Sequence, residues 1–328
     1  MRLQTRDRKN FGAMTAKPLA VVAIGGNGIC PSDPGAEMSF TAQLIHTKRT
    51  LWNLISLFNH FRVVITHGNG PQAGLVYEQM IPRTPFGVVT LVTTSQISSA
   101  ITRAYEELII ENNLQGLPPL EPVLSWVRVD PHDPGFSNPS KPIGRQLSKD
   151  EVAELLRHHP EYLFTDYGKG KRRLIASPQP QEILNIADIR EVIQDGKVPV
   201  ALGGGGIPVF IDNYGRKEIS NGILDKDLSS ALLAGNLSAE EFIILTNEQG
   251  MFTGYSTPSR QFHPRSTSSQ VRNWLAEGEF PPGSMGPKAE ALLKFLGANP
   301  GGRVIVGHVE ERVEKLLDGS AGTTIEAG

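Results

Sequence analysis

Short, densely apolar runs that end in glycine recur along this chain. Leu19–Asn27 reads LAVVAIGGN. Arg62–Gln72 (RVVITHGNGPQ), Val198–Ile207 (VPVALGGGGI), Phe242–Gly250 (FIILTNEQG) and Arg303–His308 (RVIVGH) repeat the form. Runs apolar at nearly every position, rather than at every second one, predict strands buried on both faces. Between them the apolar residues change to helical spacing. Leu44, Thr47, Leu51, Leu54, Ile55 and Phe58 predict a helix over Ser39–Phe61. Further helices are predicted from about Ala73, after Thr94 within 88–113, over Ser148–His158, Ile183–Gln194, Asp225–Leu237 and Pro287–Leu296, and briefly over Glu310–Leu317. Strand and helix in turn predict an α/β layout with helices on both faces of the sheet. In such open sheets, ligands sit beyond the carboxyl ends of the strands. Several glycine-rich strand ends therefore imply one shared site.

The breaks in this pattern carry information too. Pro31–Glu37 and Ile81–Gly87 are rich in proline and glycine and read as loops. Val123–Val129 alternates and reads as a short strand. Asp130–Gln146 has prolines at 131, 134, 139 and 142 and is expected to form no regular element, but an arm projecting from the sheet. Tyr162–Ile175 reads as a two-stranded ribbon turning at Gly168 or Gly170. A hairpin is expected around Tyr214 and Gly215.

Composition narrows the class. The chain has 328 residues, 39% of them apolar and 20% charged, which suits a soluble enzyme with one large α/β unit or two lobes. Net charge is −2, without the basic field of a nucleic-acid binder, although Lys169–Arg173 (KGKRR) is a local cluster. No run is long enough to cross a membrane. The lone cysteine, Cys30, excludes a disulfide scaffold and favours a reducing, cytoplasmic compartment. Residues 1–17 are basic without an apolar secretory core, and read as a flexible leader that leaves organelle targeting open.

Three lysines stand in unusual settings. Lys226 lies between Asp225 and Asp227 at a helix start, Lys288 follows PPGSMGP at another, and Lys141 lies in the proline-rich arm. The macrodipole disfavours cations at helix amino termini, so lysines there make sense beside a bound anion. Glycine turns, helix starts and lysines together describe a phosphate-handling site. Phosphoryl transfer needs donors and cations on the moving oxygens and both reactants in line. The chain has no GxxxxGK[ST] loop, neither HRD nor DFG, and no GxGxxG at the first turn. P-loop, protein-kinase and dinucleotide patterns therefore fail. Asp227 is read as organiser of the two lysines, as holder of magnesium through water, or as a helix cap. His67 is read either as bonding a substrate oxygen or as a packed histidine. The eight histidines show no zinc-ligand spacing.

These stretches closely resemble carbamate kinase, within the amino acid kinase fold. The matching segments are VVAIGGN (21–27), VVITHGNGPQAG (63–74), NPSKPIG (138–144), GGGGIPV (203–209), DKDLSSALLA (225–234), FIILTNEQG (242–250) and FPPGSMGPKAEALLKFL (280–296). The resemblance covers nearly everything after residue 18. It implies a three-layer αβα sandwich around a mainly parallel sheet of about eight strands, spanning 18–328. A small subdomain would protrude near 130–175, and 198–328 would form the nucleotide-binding half. It implies a homodimer that transfers a phosphoryl group reversibly between carbamoyl phosphate and ADP, giving ATP and carbamate, with Mg2+ held mainly by nucleotide phosphates and no protein-built metal site. Carried over, Lys226, Lys288 and Lys141 resemble the catalytic cations and Asp227 their organiser. Gly25, Gly26, Asn27, His67, Gly68, Asn69 and Gly70 resemble the substrate and phosphate cradle. Gly203, Gly204, Asn247, Gly250, Met285, Gly286 and Lys288 resemble the nucleotide side. Asn247 and Gln249 stand where the family commonly has aspartates, Gly28 replaces a usual alanine, and 86–100 depart from the usual helix start. A relative acting on another small carboxylate, and a non-catalytic metabolite or nucleotide sensor, remain as alternatives.

Overall fold

In a computed structural model of the chain, the residues described are 17–30, 39–70, 72–80, 84–255, 259–280 and 285–328. The leader before Lys17, the whole 31–37 loop, and parts of the 81–87 and 280–286 loops lie outside them. The chain enters at β1 (Leu19–Ile24), turns through Gly26–Gly28, and continues through α1 (Phe40–Leu54), β2 (Arg62–His67), α2 (Gln72–Gln79), α3 (Phe86–Glu111) and β3 (Leu120–Pro122). An arm follows, built from β4 (Lys141–Leu147), α4 (Lys149–His158), β5 (Leu163–Tyr167) and β6 (Gly170–Ile175). The chain then returns through β7 (Val198–Ala201), α5 (Lys226–Asn236), β8 (Glu241–Thr246), β9 (Arg265–Thr267), α6 (Met285–Ala298), β10 (Arg303–His308) and β11 (Thr323–Glu326).

The main sheet has eight strands in the order β9-β11-β10-β8-β1-β2-β7-β3. From β10 through β3 every pairing is parallel, and only β10 with β11 is antiparallel. The unbroken apolar run of β1 has its reason here. Leu19, Val21 and Ala23 enter one core with α5 and α6, while Ala20, Val22 and Ile24 enter the other with α1 and α3. All six are buried. Each fully buried Val, Leu or Ile contributes about 1.5–3 kcal/mol relative to exposure, so β1 anchors both layers.

Local detail departs from expectation in several places. The helix predicted over Ser39–Phe61 is capped by Ser39, whose hydroxyl accepts from Ala42 N. It breaks near Ile55 into a short second piece, Leu57–His60. α3 begins at Phe86 instead of after Thr94: Pro85 stands at its N-cap, Phe86, Val89, Thr90 and Thr93 form a buried face at helical spacing, and the two threonine hydroxyls donate to carbonyls one turn back. Val123–Val129 is not one strand: β3 ends at Pro122, and a separate strand, Trp126–Arg128, joins a smaller four-stranded sheet. The arm is more regular than its prolines imply. Pro142 lies near the start of β4, an outer strand of the three-stranded arm sheet, where a missing N–H costs least. The ribbon turns between Tyr167 and Gly170 as expected, with Gly168 at φ +58°. Ser148 and Glu151 close a capping box on α4.

Candidate active site

The carboxyl ends of β1, β2 and β8 lie side by side, since Ile24 pairs with His67 on one side and Leu245 on the other. Their glycine turns therefore meet. A Cβ on Gly26 would stand 2.8 Å from Gly70 Cα, and one on Gly68 would stand 3.2 Å from Gly26 N and 3.5 Å from Lys226 Cδ. Only bare backbone permits this approach, and it brings the first turn, the HGNGPQ turn and the start of α5 together. Gly25 N donates to Leu245 O at 3.2 Å and ties the first turn to β8. Asn27 is exposed at the edge of the turn.

Lys226 opens α5, and Lys288 lies in the first turn of α6. Both ammonium groups converge on Asp227: Lys226 on Oδ1, and Lys288 on Oδ2 at 3.2 Å. The side chains of Lys226, Lys288 and Asp227 are 12%, 16% and 4% exposed, so all three are largely buried and the carboxylate most of all. Burial pushes the Asp227 carboxyl up, but Lys226 and Lys288 outweigh it and hold it below the usual range. Burial lowers Lys226 despite Asp227. For Lys288, burial also works against the charge, yet Asp227 and Asp225 bring it out raised. Each oxygen of Asp227 thus faces one lysine ammonium.

The cap belongs to Asp225. Its Oδ1 accepts from the backbone N–H of Asp227 at 2.9 Å and of Leu228 at 3.3 Å. Its Oδ2 holds Lys141 Nζ at 2.6 Å, so the arm lysine reaches the same cluster. Sequence reading placed Asp225 beside Lys226 but assigned it no role. A partner 84 residues away leaves no local signal. Ser230 was also missed. Its hydroxyl donates to Lys226 O at 2.6 Å and meets Thr66 Oγ1 at 2.6 Å, pinning the start of α5 against β2.

His67 is fully buried. Nδ1 donates to Gly68 O at 2.9 Å, which leaves Nε2 to accept from Ser98 Oγ at 3.1 Å. Burial lowers its pKa to about 4, so the ring is neutral. Of its two readings, the packed histidine is the one this geometry carries. The ring is spent on shaping the turn, with no nitrogen left for a substrate. Asn69 Nδ2 and Gln72 Nε2, by contrast, are buried donors with no partner among the described residues. Two orphan amides in one turn suit a bound carboxylate-like group. Gln72 is a further residue that sequence reading did not single out.

The residues read as the nucleotide side are spread over the ends of β7 and β8 and the start of α6. Gly203 and Gly204 follow β7, on the far side of β2 from β8. Thr94 Oγ1 donates to Gly203 O at 2.9 Å, and a Cβ on Gly204 would stand 2.7 Å from Asn69 Nδ2. They back the HGNGPQ turn. Leu202, just before them, is fully buried yet left-handed at φ +50°, a strained backbone of the kind held at functional sites. Met285 is 1% exposed and belongs to the core between α5 and α6, so its side chain is packing. Gly286 beside it is buried as well, whereas Asn247 is exposed at the end of β8. Gly250 packs against Thr323 and Phe262.

A cavity of about 1000 Å3 opens beneath the arm, lined by Tyr77, Glu78, Ile143, Arg145, Tyr162 and Arg173 among others. The lysine cluster is not part of its wall. The contact of Gly74 with Gly144 stands at its edge, where a Cβ on Gly74 would meet Gly144 Cα at 2.3 Å. Among the described residues, no group of three or more His, Cys, Asp or Glu is gathered for a metal ion, and no helix is long and apolar enough to cross a membrane.

Residues 18–307 match the amino acid kinase family. The carbamate kinase-like protein YahI of Escherichia coli is 34% identical, over 94% of this chain and 99% of that one. Carbamate kinase 2 of Staphylococcus aureus gives the same figures, 34%, 94% and 99%. Among solved structures, carbamate kinase from Giardia lamblia bound to AMP-PNP is similar with a TM-score of 0.84 and 27% identity, over 96% of this chain and 100% of that one.

Proposed function

The chain belongs to the amino acid kinase family, and we propose that it is a carbamate kinase, transferring a phosphoryl group reversibly between carbamoyl phosphate and ADP. The observation that carries this reading is the convergence of Lys226 and Lys288 on the two oxygens of Asp227, beside the glycine turns of β1 and β2. Toward ATP, a terminal oxygen of ADP bonds to phosphorus while the phosphorus–oxygen bond to carbamate breaks. Carbamate leaves as an anion and, on taking up a proton from water, falls apart to ammonia and carbon dioxide. Charge spreads over the transferred oxygens as the bonds exchange. Lys226 and Lys288 stand ready to neutralise it, and donors already in place need no reorganisation at that moment. Asn69 and Gln72 supply amides for the carbamate end, and Gly25, Gly26 and Asn27 the backbone facing the phosphates. Asn247 and Gly250, at the end of β8, form the nucleotide side.

ATP or ADP is the nucleotide, in keeping with the AMP-PNP complex of the Giardia relative. Mg2+ would be held mainly by the nucleotide phosphates, since no group of three or more His, Cys, Asp or Glu is gathered for a metal among the described residues, and when bound it would neutralise phosphate charge. A homodimer in a reducing, cytoplasmic compartment is the setting that this reading implies, and the single buried thiol of Cys30 suits it. The test is coupled ATP formation from carbamoyl phosphate and ADP, run beside acetyl phosphate and a metal-free control. ATP from carbamoyl phosphate alone, and only with Mg2+, supports the reading. Equal use of acetyl phosphate, or no ATP from either, removes it.

A further inference from the structure

Among the described residues, two ion pairs tie the arm to the main body. Arg145 lies 3.9 Å from Glu78 and is well exposed, whereas Lys141 lies 2.6 Å from Asp225, whose side chain is only 14% exposed. The base of the arm packs through Ile143 and Ile175 against Ala73 and Phe86. Beyond it Arg173 of the arm donates to Tyr77 Oη at 3.1 Å, at the wall of the 1000 Å3 cavity. Lys141 begins β4 at that base, in register with Ile175, and the tip of its side chain is fixed by the anion it meets. That anion is unusually fixed. Asp225 Oδ1 is locked onto the first turn of α5, which aims Oδ2 outward at Lys141. Burial pushes this carboxyl up, yet Lys141, Lys226 and Lys288 hold it far below the usual range. A rigid, charged oxygen within the field of three lysines has the chemistry of a phosphoryl oxygen.

We propose that Asp225 is a positioning residue that stands in for the phosphoryl group, its Oδ2 holding Lys141 over the site and yielding it to phosphoryl oxygens when substrate binds. This deepens the carbamate kinase reading and rests on it. An incoming phosphoryl group has to displace Asp225 from Lys141, and a departing one is displaced by it. The competition is reciprocal, so whatever Asp225 gains from Lys141 is subtracted from ligand affinity. The arm lysine is never left without a partner, and the site is kept from retaining phosphate.

The experiment measures affinity for inorganic phosphate by calorimetry in the full chain, together with KM and kcat for carbamoyl phosphate. Asp225→Asn keeps an oxygen for the helix cap and removes the charge. Asp225→Ser, another good cap, serves if the amide variant does not fold. Phosphate is expected to bind roughly five- to tenfold tighter, with KM and kcat both lowered as release slows. In a Lys141→Met background the same change at Asp225 should leave phosphate affinity unaltered. Unchanged or weaker phosphate binding in a folded Asp225 variant overturns the proposal. So does equal tightening without Lys141, which would make Asp225 only a repelling charge. If the wild type makes no ATP from carbamoyl phosphate while this phosphate pattern holds, the carbamate reading falls and the exchange at Lys141 stands.

Discussion

His67 ties the folded state to pH in a way that can be measured. Its ring is fully buried and its pKa is lowered from 6.5 to about 4, with burial as the main cause. In the unfolded chain the ring takes up a proton below about 6.5, and in the folded chain only below about 4. Between those values the unfolded state binds more protons, so stability rises with pH across the window and is flat above it. A gap of about 2.5 units at about 1.4 kcal/mol each amounts to roughly 3 kcal/mol lost between pH 7 and pH 4. Carboxylates titrate in the lower part of the same window, so the comparison needs a variant. His67→Asn keeps a donor near Nδ1 for Gly68 O and removes the titration. Urea unfolding of both proteins at pH 7, 6, 5 and 4 should show the wild type losing roughly 3 kcal/mol more than the variant. Parallel curves would mean that the ring is not buried neutral. The activity profile gives a second check, since a neutral, packed ring puts no limb near pH 6.5 into kcat/KM.

Lys288→Ala removes one of the two cations on Asp227. It should lower turnover about 100- to 1000-fold and cost only about 1–2 kcal/mol of stability in a thermal melt. Equal loss of folding and activity would defeat its catalytic assignment. Gly74→Ala improves helix propensity by up to about 1 kcal/mol but drives a Cβ into the backbone of Gly144. A folded protein, destabilised by about 1–3 kcal/mol, with carbamoyl phosphate KM raised at least about tenfold is expected, since β4 and Lys141 are displaced. Unchanged KM would show that arm placement does not depend on this contact. Gly26→Ala, opposed to Gly70 at 2.8 Å, should abolish turnover while circular dichroism stays native, and near-normal turnover would remove the phosphate-cradle role of the first turn.

What could be read in advance was set by what is local. The strands announce themselves because burial on both faces leaves no polar positions, as in β1. Lys226 and Lys288 stand out because each violates the preference of its own helix start. Contacts between distant segments left no such mark. Asp225 carries no role in the sequence until the arm delivers Lys141 to it. Gly203 and Gly204 match a family segment, but their side of the site follows from β7 lying beside β2. Met285 lies in a matching family segment, and that its side chain packs into the core shows only once α6 is placed. Pro142 counts against a strand until an outer strand is found to hold it.

The parallel run from β10 to β3 also sorts the molecule into two ends. The proposed site gathers where the strands finish. The turns that precede them, Asn112–Gly116 before β3, Asp195–Gly196 before β7 and Pro300–Gly301 before β10, crowd the opposite rim. Pro300 and Gly301 are exposed there, and nothing stands within 4 Å of a Cβ on Gly116 or Gly301. A fluorescent reporter spliced in at Gly301, or a tether to a bead at Gly116, would therefore sit a full strand length from the reacting groups. That rim is where the enzyme can be handled, immobilised or fused without its catalytic end being touched.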